Sequence, residues 1–235
     1  YTVVVTADDG HGGTVTQTFT WTVTNPAPEA LDDPNTTNED TLLTVTAADG
    51  VLGNDSDQDG DDLSVSEVNG QSANVGAAVL GSSGGSFTLN GDGSYSFDPG
   101  GDFEDLAVGE TRTTSITYTV SDGEGGTDTA TLTITVTGVN DAPVTEGTLA
   151  PQTSEDADSV VSVDVTGAFS DVDGSDVLTY TATGLPQGLT LDLNTGVISG
   201  TIDNSASQSS TSGNPAGTYT VVVTADDGHG GTVTQ

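Results

Sequence analysis

The 235-residue chain carries 36 acidic side chains against one basic side chain, Arg112, and two histidines, for a formal net charge of −35. Such a chain cannot neutralise phosphates, which excludes nucleic acid and anionic lipid surfaces as partners and leaves cations as the natural ones. With no cysteine and no lysine, disulfides, thiolate metal sites, thiol nucleophiles and Schiff bases are excluded too.

Hydrophobic residues make up only 32% and aromatics 5%, close to a disordered composition, but their patterning argues for a fold. Thr occurs 41 times, mostly alternating with Val and other apolar residues, the period of half-buried strands. In chain order, strands are predicted over residues 2–7, 14–24, 41–46, 63–68, 86–89, 94–97, 113–120 and 127–137. They continue over 160–165, 178–182, 189–191, 196–198 and 219–224, with one more from 232. Turns between them are rich in Gly, Asn and Asp, as in Asn90-Gly91-Asp92-Gly93. Many short strands without helical periodicity predict an all-β chain of tandem Ig-like β-sandwiches. No run approaches the ~18 apolar residues of a membrane span, and no charged-then-apolar leader opens the sequence.

Residues 1–17, YTVVVTADDGHGGTVTQ, return unchanged as residues 219–235, a period of 218 residues. A shorter signature also recurs. Asp9-Gly10-His11-Gly12-Gly13-Thr14, Asp122-Gly123-Glu124-Gly125-Gly126-Thr127 and Asp227-Gly228-His229-Gly230-Gly231-Thr232 are spaced by 113 and 105 residues. Each copy lies between two alternating strands, so each reads as the last hairpin of a domain. The expected organisation is a hairpin of a preceding domain at 1–25, one sandwich at 26–142 and a second at 143–235 that lacks its last strand. Linkers are legible as Asn25-Pro26-Ala27-Pro28 and Val139-Asn140-Asp141-Ala142-Pro143. Tyr1 falls inside a strand, and Gln235 stops where the first copy runs on into Thr18-Phe19-Thr20-Trp21-Thr22-Val23-Thr24. The expectation is a slice of a longer tandem array.

The acids are 28 Asp against 8 Glu. Two loops concentrate them: Asp55-Ser56-Asp57-Gln58-Asp59-Gly60-Asp61-Asp62, and Asp171-Val172-Asp173-Gly174-Ser175-Asp176. Carboxylates at alternate positions of a turn converge, and can supply several of the 6–8 oxygens that Ca²⁺ takes. An acidic pair precedes each loop, Glu39-Asp40 lying 18 residues before Asp57 and Glu155-Asp156 lying 16 before Asp171. The first loop begins like an EF-hand, but Ser66 occupies the twelfth position where a bidentate Glu is required, and no helices flank it. The competing reading is a solvated Asp-rich turn. For Asp92, Asp98, Asp192 and Asp203 taken singly it is the better one; for the paired loops, their repetition in two domains favours a metal.

Residues 31–143 resemble the cadherin-like VCBS-type repeats of bacterial RTX-type giant adhesins. The likeness rests on Glu39-Asp40, Asp57-x-Asp59-Gly60-Asp61, Gly93-Ser94-Tyr95-Ser96-Phe97, Tyr118-Thr-Val-Ser-Asp122-Gly and Val139-Asn-Asp-Ala-Pro143. Residues 144–235 resemble dystroglycan-type cadherin or putative-Ig domains, through Gly184-Leu185-Pro186-Gln187-Gly188-Leu189-Thr190-Leu191 and Thr195-Gly196-Val197-Ile198-Ser199-Gly200-Thr201. The resemblance implies Ca²⁺ between successive domains. Its ligands would be Asn140 and Asp141 of the linker, Asp171 and Asp173 of the following loop, and Asp227 or Asp226 of the last hairpin, with Asp176 as a looser match to Asp61. At the preceding junction the corresponding ligands would be Asp32 or Asp33, Asp57, Asp59 and Asp122. Glu39 and Glu155 resemble the early-strand Glu that such domains give to one end or the other. The matched sets then read Glu39, Asp57, Asp59, Asp61, Asp122 and Glu155, Asp171, Asp173, Asp227, with Asn140-Asp141 between them.

His11 and His229 occupy one repeat position and read as exposed turn residues. No Gly-x-Ser-x-Gly elbow is present, and Trp21, Tyr95 and Phe97, at alternate strand positions, read as sandwich core. The expected function is a non-catalytic, calcium-dependent extender of an extracellular bacterial adhesin, contacting neighbouring repeats, with other cells or glycans bound by modules elsewhere. An accessory module of a secreted polysaccharide-degrading enzyme and a carbohydrate-binding module are the rival readings.

Overall fold

The computed structural model describes residues 1–159 and 162–235. It is built from strands, with four single-turn 3-10 segments among the described residues. No helix among them is long and apolar enough to cross a membrane.

The chain starts with an antiparallel hairpin, β1 (Thr2–Asp8) and β2 (Thr14–Thr20). Val3 faces Phe19, Val5 faces Gln17 and Ala7 faces Val15. No second sheet among the described residues covers it, and Val5, Phe19 and Trp21 are 53%, 47% and 61% exposed. The sequence places Trp21 in a core, on a strand running to residue 24; in the structure β2 ends at Thr20, and Trp21 just beyond it is exposed.

The central domain pairs two four-stranded sheets. One runs β3 (Asp33–Asn38), β10 (Thr127–Thr137), β9 (Thr111–Ser121), β5 (Ser64–Val68); the other runs β4 (Leu43–Val45), β8 (Tyr95–Asp98), β7 (Ser86–Leu89), β6 (Ala78–Leu80). In β9 and β10 the pleat sends every second side chain inward. Ile116, Tyr118, Val120, Leu132, Ile134 and Val136 are at most 2% exposed, against Phe87, Leu89 and Phe97 of the other sheet at 0%. Phe87, Phe97 and Phe103 form an aromatic row with centroid separations of 4.6 and 6.2 Å. Tyr95 and Phe97 are core residues, as the alternation predicts.

β3 has no strand signal, since Asp-Pro-Asn-Thr-Thr-Asn is turn chemistry. It forms because it lies parallel to β10 at the sheet edge, where Pro34 withholds its missing N–H at no cost to a central ladder. This parallel alignment carries the residues after β3 to the end of the domain where β10 finishes.

The C-terminal domain has the sheets β12 (Val163–Asp164), β16 (Val197–Gly200), β15 (Leu189–Asp192) and β14 (Thr179–Thr183), β17 (Val222–Asp226), β18 (Thr232–Thr234). A short pair, β11 (Val144–Thr145) with β13 (Phe169–Ser170), completes it. Its core is smaller: Val165, Phe169, Tyr180, Ile198, Val223 and Ala225. Of the predicted strand 160–165, Val160 and Val161 lie outside the described residues.

Candidate metal centre

The recurrent Asp-Gly-x-Gly-Gly turns do the same job in both domains. Oδ1 of Asp122 accepts the amides of Glu124 and Gly126 at 2.8 and 2.9 Å. Oδ1 of Asp227 accepts those of His229, Gly230 and Gly231 at 2.7, 2.9 and 3.0 Å. The second oxygen then takes the linker Asn: Asn25 donates to Asp122 at 2.8 Å, and Asn140 to Asp227 at 3.1 Å. The last glycine of each turn lies beneath the linker; a Cβ would stand 2.9 Å from Ala27 Cα at Gly126 and 2.7 Å from Ala142 Cα at Gly231. The two linkers are thus threaded identically, but Pro26 stands where the second has Asp141.

The second junction gathers acids from three sources. Glu39 follows β3, so the parallel pairing sets it beside the linker: its amide donates to Thr137 O at 3.1 Å, and its Oε1 accepts the Val139 amide at 2.6 Å. Asp141 donates its amide to Asp173 Oδ2 at 3.0 Å. Oxygens of Glu39, Asp141 and Asp173 come within 4.8 Å of one another. Glu39 and Asp173 are 3% and 2% exposed, and Oε2 of the first and Oδ1 of the second are buried with no partner. An orphaned buried carboxylate oxygen is costly unless something positive meets it.

Beside this group lies another, Asp171, Asp176 and Asp227, with oxygens likewise within 4.8 Å. Asp171 Oδ1 accepts the Asp173 amide at 3.1 Å while its Oδ2 is buried and unpartnered, as is Asn140 Oδ1. His229 Nδ1 lies 2.9 Å from Asp176 Oδ2, which pulls the imidazole pKa up. The turn-histidine reading is met by exposure at both positions, with this contact added at His229.

The electrostatics match. Burial first, then neighbouring carboxylates, pushes Glu39, Asp141 and Asp173 above their ordinary values. Glu104, which the sequence reading missed, is pushed up by burial and by Asp141, Asp40 and Asp173. At Asp227 burial also acts upward, but the amides of His229, Gly230 and Gly231 and the Asn140 side chain win and hold it low. Arg112 is committed elsewhere, forking onto Asp105 at 3.0 and 2.6 Å with its guanidinium 5.7 Å from the Phe103 ring centre. Asp105 in turn accepts the Gly174 amide on its carbonyl at 3.1 Å, a direct bond between the domains.

Asp57, Asp59 and Asp61 form the third close group. Asp57 Oδ1 accepts the amides of Asp59 and Gly60 at 3.0 and 3.1 Å, and the closeness of the two carboxyl groups lowers Asp57 and raises Asp59. Asp57 Oδ2 is buried and unpartnered. Asp122 is not in this group; it holds Asn25. Asp32 accepts the Thr131 amide at the surface and Asp33 the part-buried Tyr118 hydroxyl, so both are engaged within their own domain.

Two of the sequence-based pairings change. Glu39 groups with Asp141 and Asp173, not with Asp57, because β3 carries it to the far end of its domain. Glu155 is exposed, in a turn where its amide donates to Asp158, and does not join Asp171, Asp173 or Asp227. Asp227 takes the position in the cluster, whereas Asp226 caps the Gly228 amide at 2.8 Å. Asp92, Asp98, Asp192 and Asp203 each accept an amide two residues on, the turn role expected of them.

All these donors are carboxylate or amide oxygens, the set of a hard divalent cation such as Ca²⁺. Residues 25–138 match the family model of the bacterial cadherin-like domain. Residues 142–235 match that of the putative Ig domain. Mouse cadherin-23 EC22-24 is 17% identical with a TM-score of 0.50, over 99% of this chain and 71% of that one. Human protocadherin-24 EC1-2 is 19% identical, also at 0.50, over 90% and 93%. The protocadherin gammaB7 EC3-6 cis-dimer structure is 17% identical at a TM-score of 0.48, and this chain spans 56% of it. No curated protein matches the chain. Residues 25–138 and 142–235 therefore have the fold of successive Ig-like or cadherin-like β-sandwiches, and two of the three acidic clusters, Glu39-Asp141-Asp173 and Asp171-Asp176-Asp227, lie where the first meets the second.

Proposed function

We propose that this chain is a calcium-stiffened extender of a secreted bacterial surface adhesin, with no catalysis of its own. The observation that carries the reading is the meeting of Glu39, Asp141 and Asp173 at the junction, with buried, partnerless oxygens on Glu39 and Asp173. Glu39 and Glu104 come from the first sandwich, Asn140 and Asp141 from the linker, and Asp171, Asp173, Asp176 and Asp227 from the second. Calcium held there supplies positive charge and a cross-link between the three parts. The residues supply the rest: Asn140 and Asp227 fix the linker path, the Asp141 amide locks it to Asp173, and Asp105 ties the loops together. A chain of such joints transmits length instead of bending, as a spacer that projects a binding module from a cell requires.

The test is calcium titration of the whole chain, following melting temperature and, by small-angle scattering, maximum dimension. Both should rise from chelator to millimolar calcium. No change in either would overturn the proposal.

A further inference from the structure

Three carboxylates at the junction share one arrangement, in which a donor holds one oxygen and the other oxygen is left over. Glu39 Oε1 takes the Val139 amide, Asp173 Oδ2 the Asp141 amide and Asp171 Oδ1 the Asp173 amide. Their second oxygens, Glu39 Oε2, Asp173 Oδ1 and Asp171 Oδ2, are buried without a partner. In all three the holding donor is a backbone amide, which the fold fixes in place. Asp176 is held differently: its Oδ2 meets a side chain, with His229 Nδ1 at 2.9 Å.

The length of the loop brings these two residues together. In the central domain Asp57-Gln58-Asp59-Gly60-Asp61 gathers its own three acids. The counterpart Asp171-Val172-Asp173-Gly174-Ser175-Asp176 has one residue more after the Asp-Gly step, and Asp176 groups with Asp171 and Asp227 instead of with Asp173. It therefore lies against the turn that starts at Asp227, whose third residue is His229; the matching turn of the central domain has Glu124 there. The Asp176 side chain is 3% exposed and that of His229 44%. A buried carboxylate is thus held by a ring that is itself nearly half in solvent.

We propose that His229 is a positioning residue of the junction's metal site: Nδ1–H holds Asp176 Oδ2, so that Oδ1 is presented to the ion beside Asp171 and Asp227. The inference rests on the reading of this junction as a calcium site. The ring is not itself a ligand, because calcium takes oxygen donors and Nδ1 is spent on Asp176. Its role is that of the outer-shell donors that orient ligating carboxylates. A carboxylate fixed before the ion arrives is not ordered at the expense of binding. Glutamate at this position, as in the central domain, would set a second negative charge against Asp176 and undo the effect.

The test is calorimetric titration of the whole chain with calcium at one fixed pH, alongside NMR of the imidazole nitrogens. His11 is the only other histidine and serves as the internal reference. His229→Ala should weaken calcium binding about 10-fold or more, with the melting temperature in chelator unchanged. His229→Asn, whose carboxamide can donate to the same oxygen, should recover most of the affinity, and His229→Glu should not. In the wild type the His229 ring signals should shift as calcium is added and keep the Nδ1 proton, while those of His11 stay. A wild-type chain that takes up no calcium would overturn the proposed function and this inference together. Calcium uptake with unmoved His229 signals, equal or tighter binding by His229→Ala, or affinity no better in His229→Asn than in His229→Ala would overturn this inference alone.

Discussion

The amide of Asp141 donates to the carboxylate of Asp173 across 3.0 Å, joining the linker of one sandwich to the first acidic loop of the next. It satisfies one oxygen of Asp173 and leaves the other buried and open toward Glu39. A linker proline cannot make this bond, and Pro26 occupies the matching position of the preceding linker. The two junctions therefore differ: both have the Asn–Asp bond, Asn25 to Asp122 and Asn140 to Asp227, and the second adds the Asp141–Asp173 bond and a carboxylate cluster shared with Glu39.

Removing one ligand oxygen tests the cluster. Asp173→Asn keeps the size and can still accept the Asp141 amide, but removes a charge. Calcium affinity by calorimetry should fall at least about 10-fold, the loss that even outer-shell changes produce. The wild-type chain at calcium 100-fold above Kd gains about 2.7 kcal/mol per site, and a variant weakened 10-fold should lose about half of that gain at equal calcium. In chelator it should be as stable as wild type or more so, since a like charge has gone.

The strands of β9 and β10, the Asp-rich loops and the linkers were legible because each rests on a local pattern: period two, alternate carboxylates, or proline and asparagine in fixed order. β3 was not, since its strand state comes from the edge of β10 and not from its own residues. The same omission hid which way Glu39 faces, because only the parallel pairing puts it beside Val139. Glu104 sits in a loop without periodicity. Its one signal was being Glu in a chain that uses Asp for turns: Glu39 and Glu104, both on the preceding sandwich, use the longer side chain to reach the junction.

Arg112 should act on the junction at a distance. It forks onto Asp105, whose carbonyl holds the Gly174 amide, and Glu104 is the adjacent residue. The pair is 35% and 57% exposed, so Arg112→Met should cost no more than about 1 kcal/mol of stability. Its clearer effect should be on calcium affinity, which weakens as the loop carrying Glu104 loosens. A variant with reduced stability and wild-type calcium affinity would show that the loop does not support the site.

Asp33 gives the central domain a pH dependence of its own. Burial raises its pKa to about 6, against the lowering effect of the Tyr118 hydroxyl bond at 2.6 Å. In the unfolded chain it titrates near 3.9. The folded state therefore binds the proton more tightly, and this contribution to stability, present in full below about 3.9, is lost as pH rises through about 6. In chelator, wild type should lose stability over that window relative to Asp33→Asn, which can still accept the Tyr118 hydroxyl. Parallel melting curves for the two from pH 4 to 7 would remove Asp33 as the cause.

The glycine under each linker should be intolerant of any side chain. At Gly231 a Cβ would press on the Asp227 carboxylate and stand 2.7 Å from Ala142 Cα, so the turn or the linker must move. Such overpacking costs about 1–3 kcal/mol. Gly231→Ala should therefore lower the melting temperature of the C-terminal domain and weaken the Asn140 bond to Asp227, read as faster amide exchange at His229, Gly230 and Gly231. Gly228→Ala is the control. It has open space around it but a φ of +82°, so it should strain the turn while leaving the linker contact in place. If Gly231→Ala and Gly228→Ala shift calcium affinity equally, the linker contact is not what sets the junction; a larger loss at Gly231 assigns it to the crossing of Ala142 over the turn.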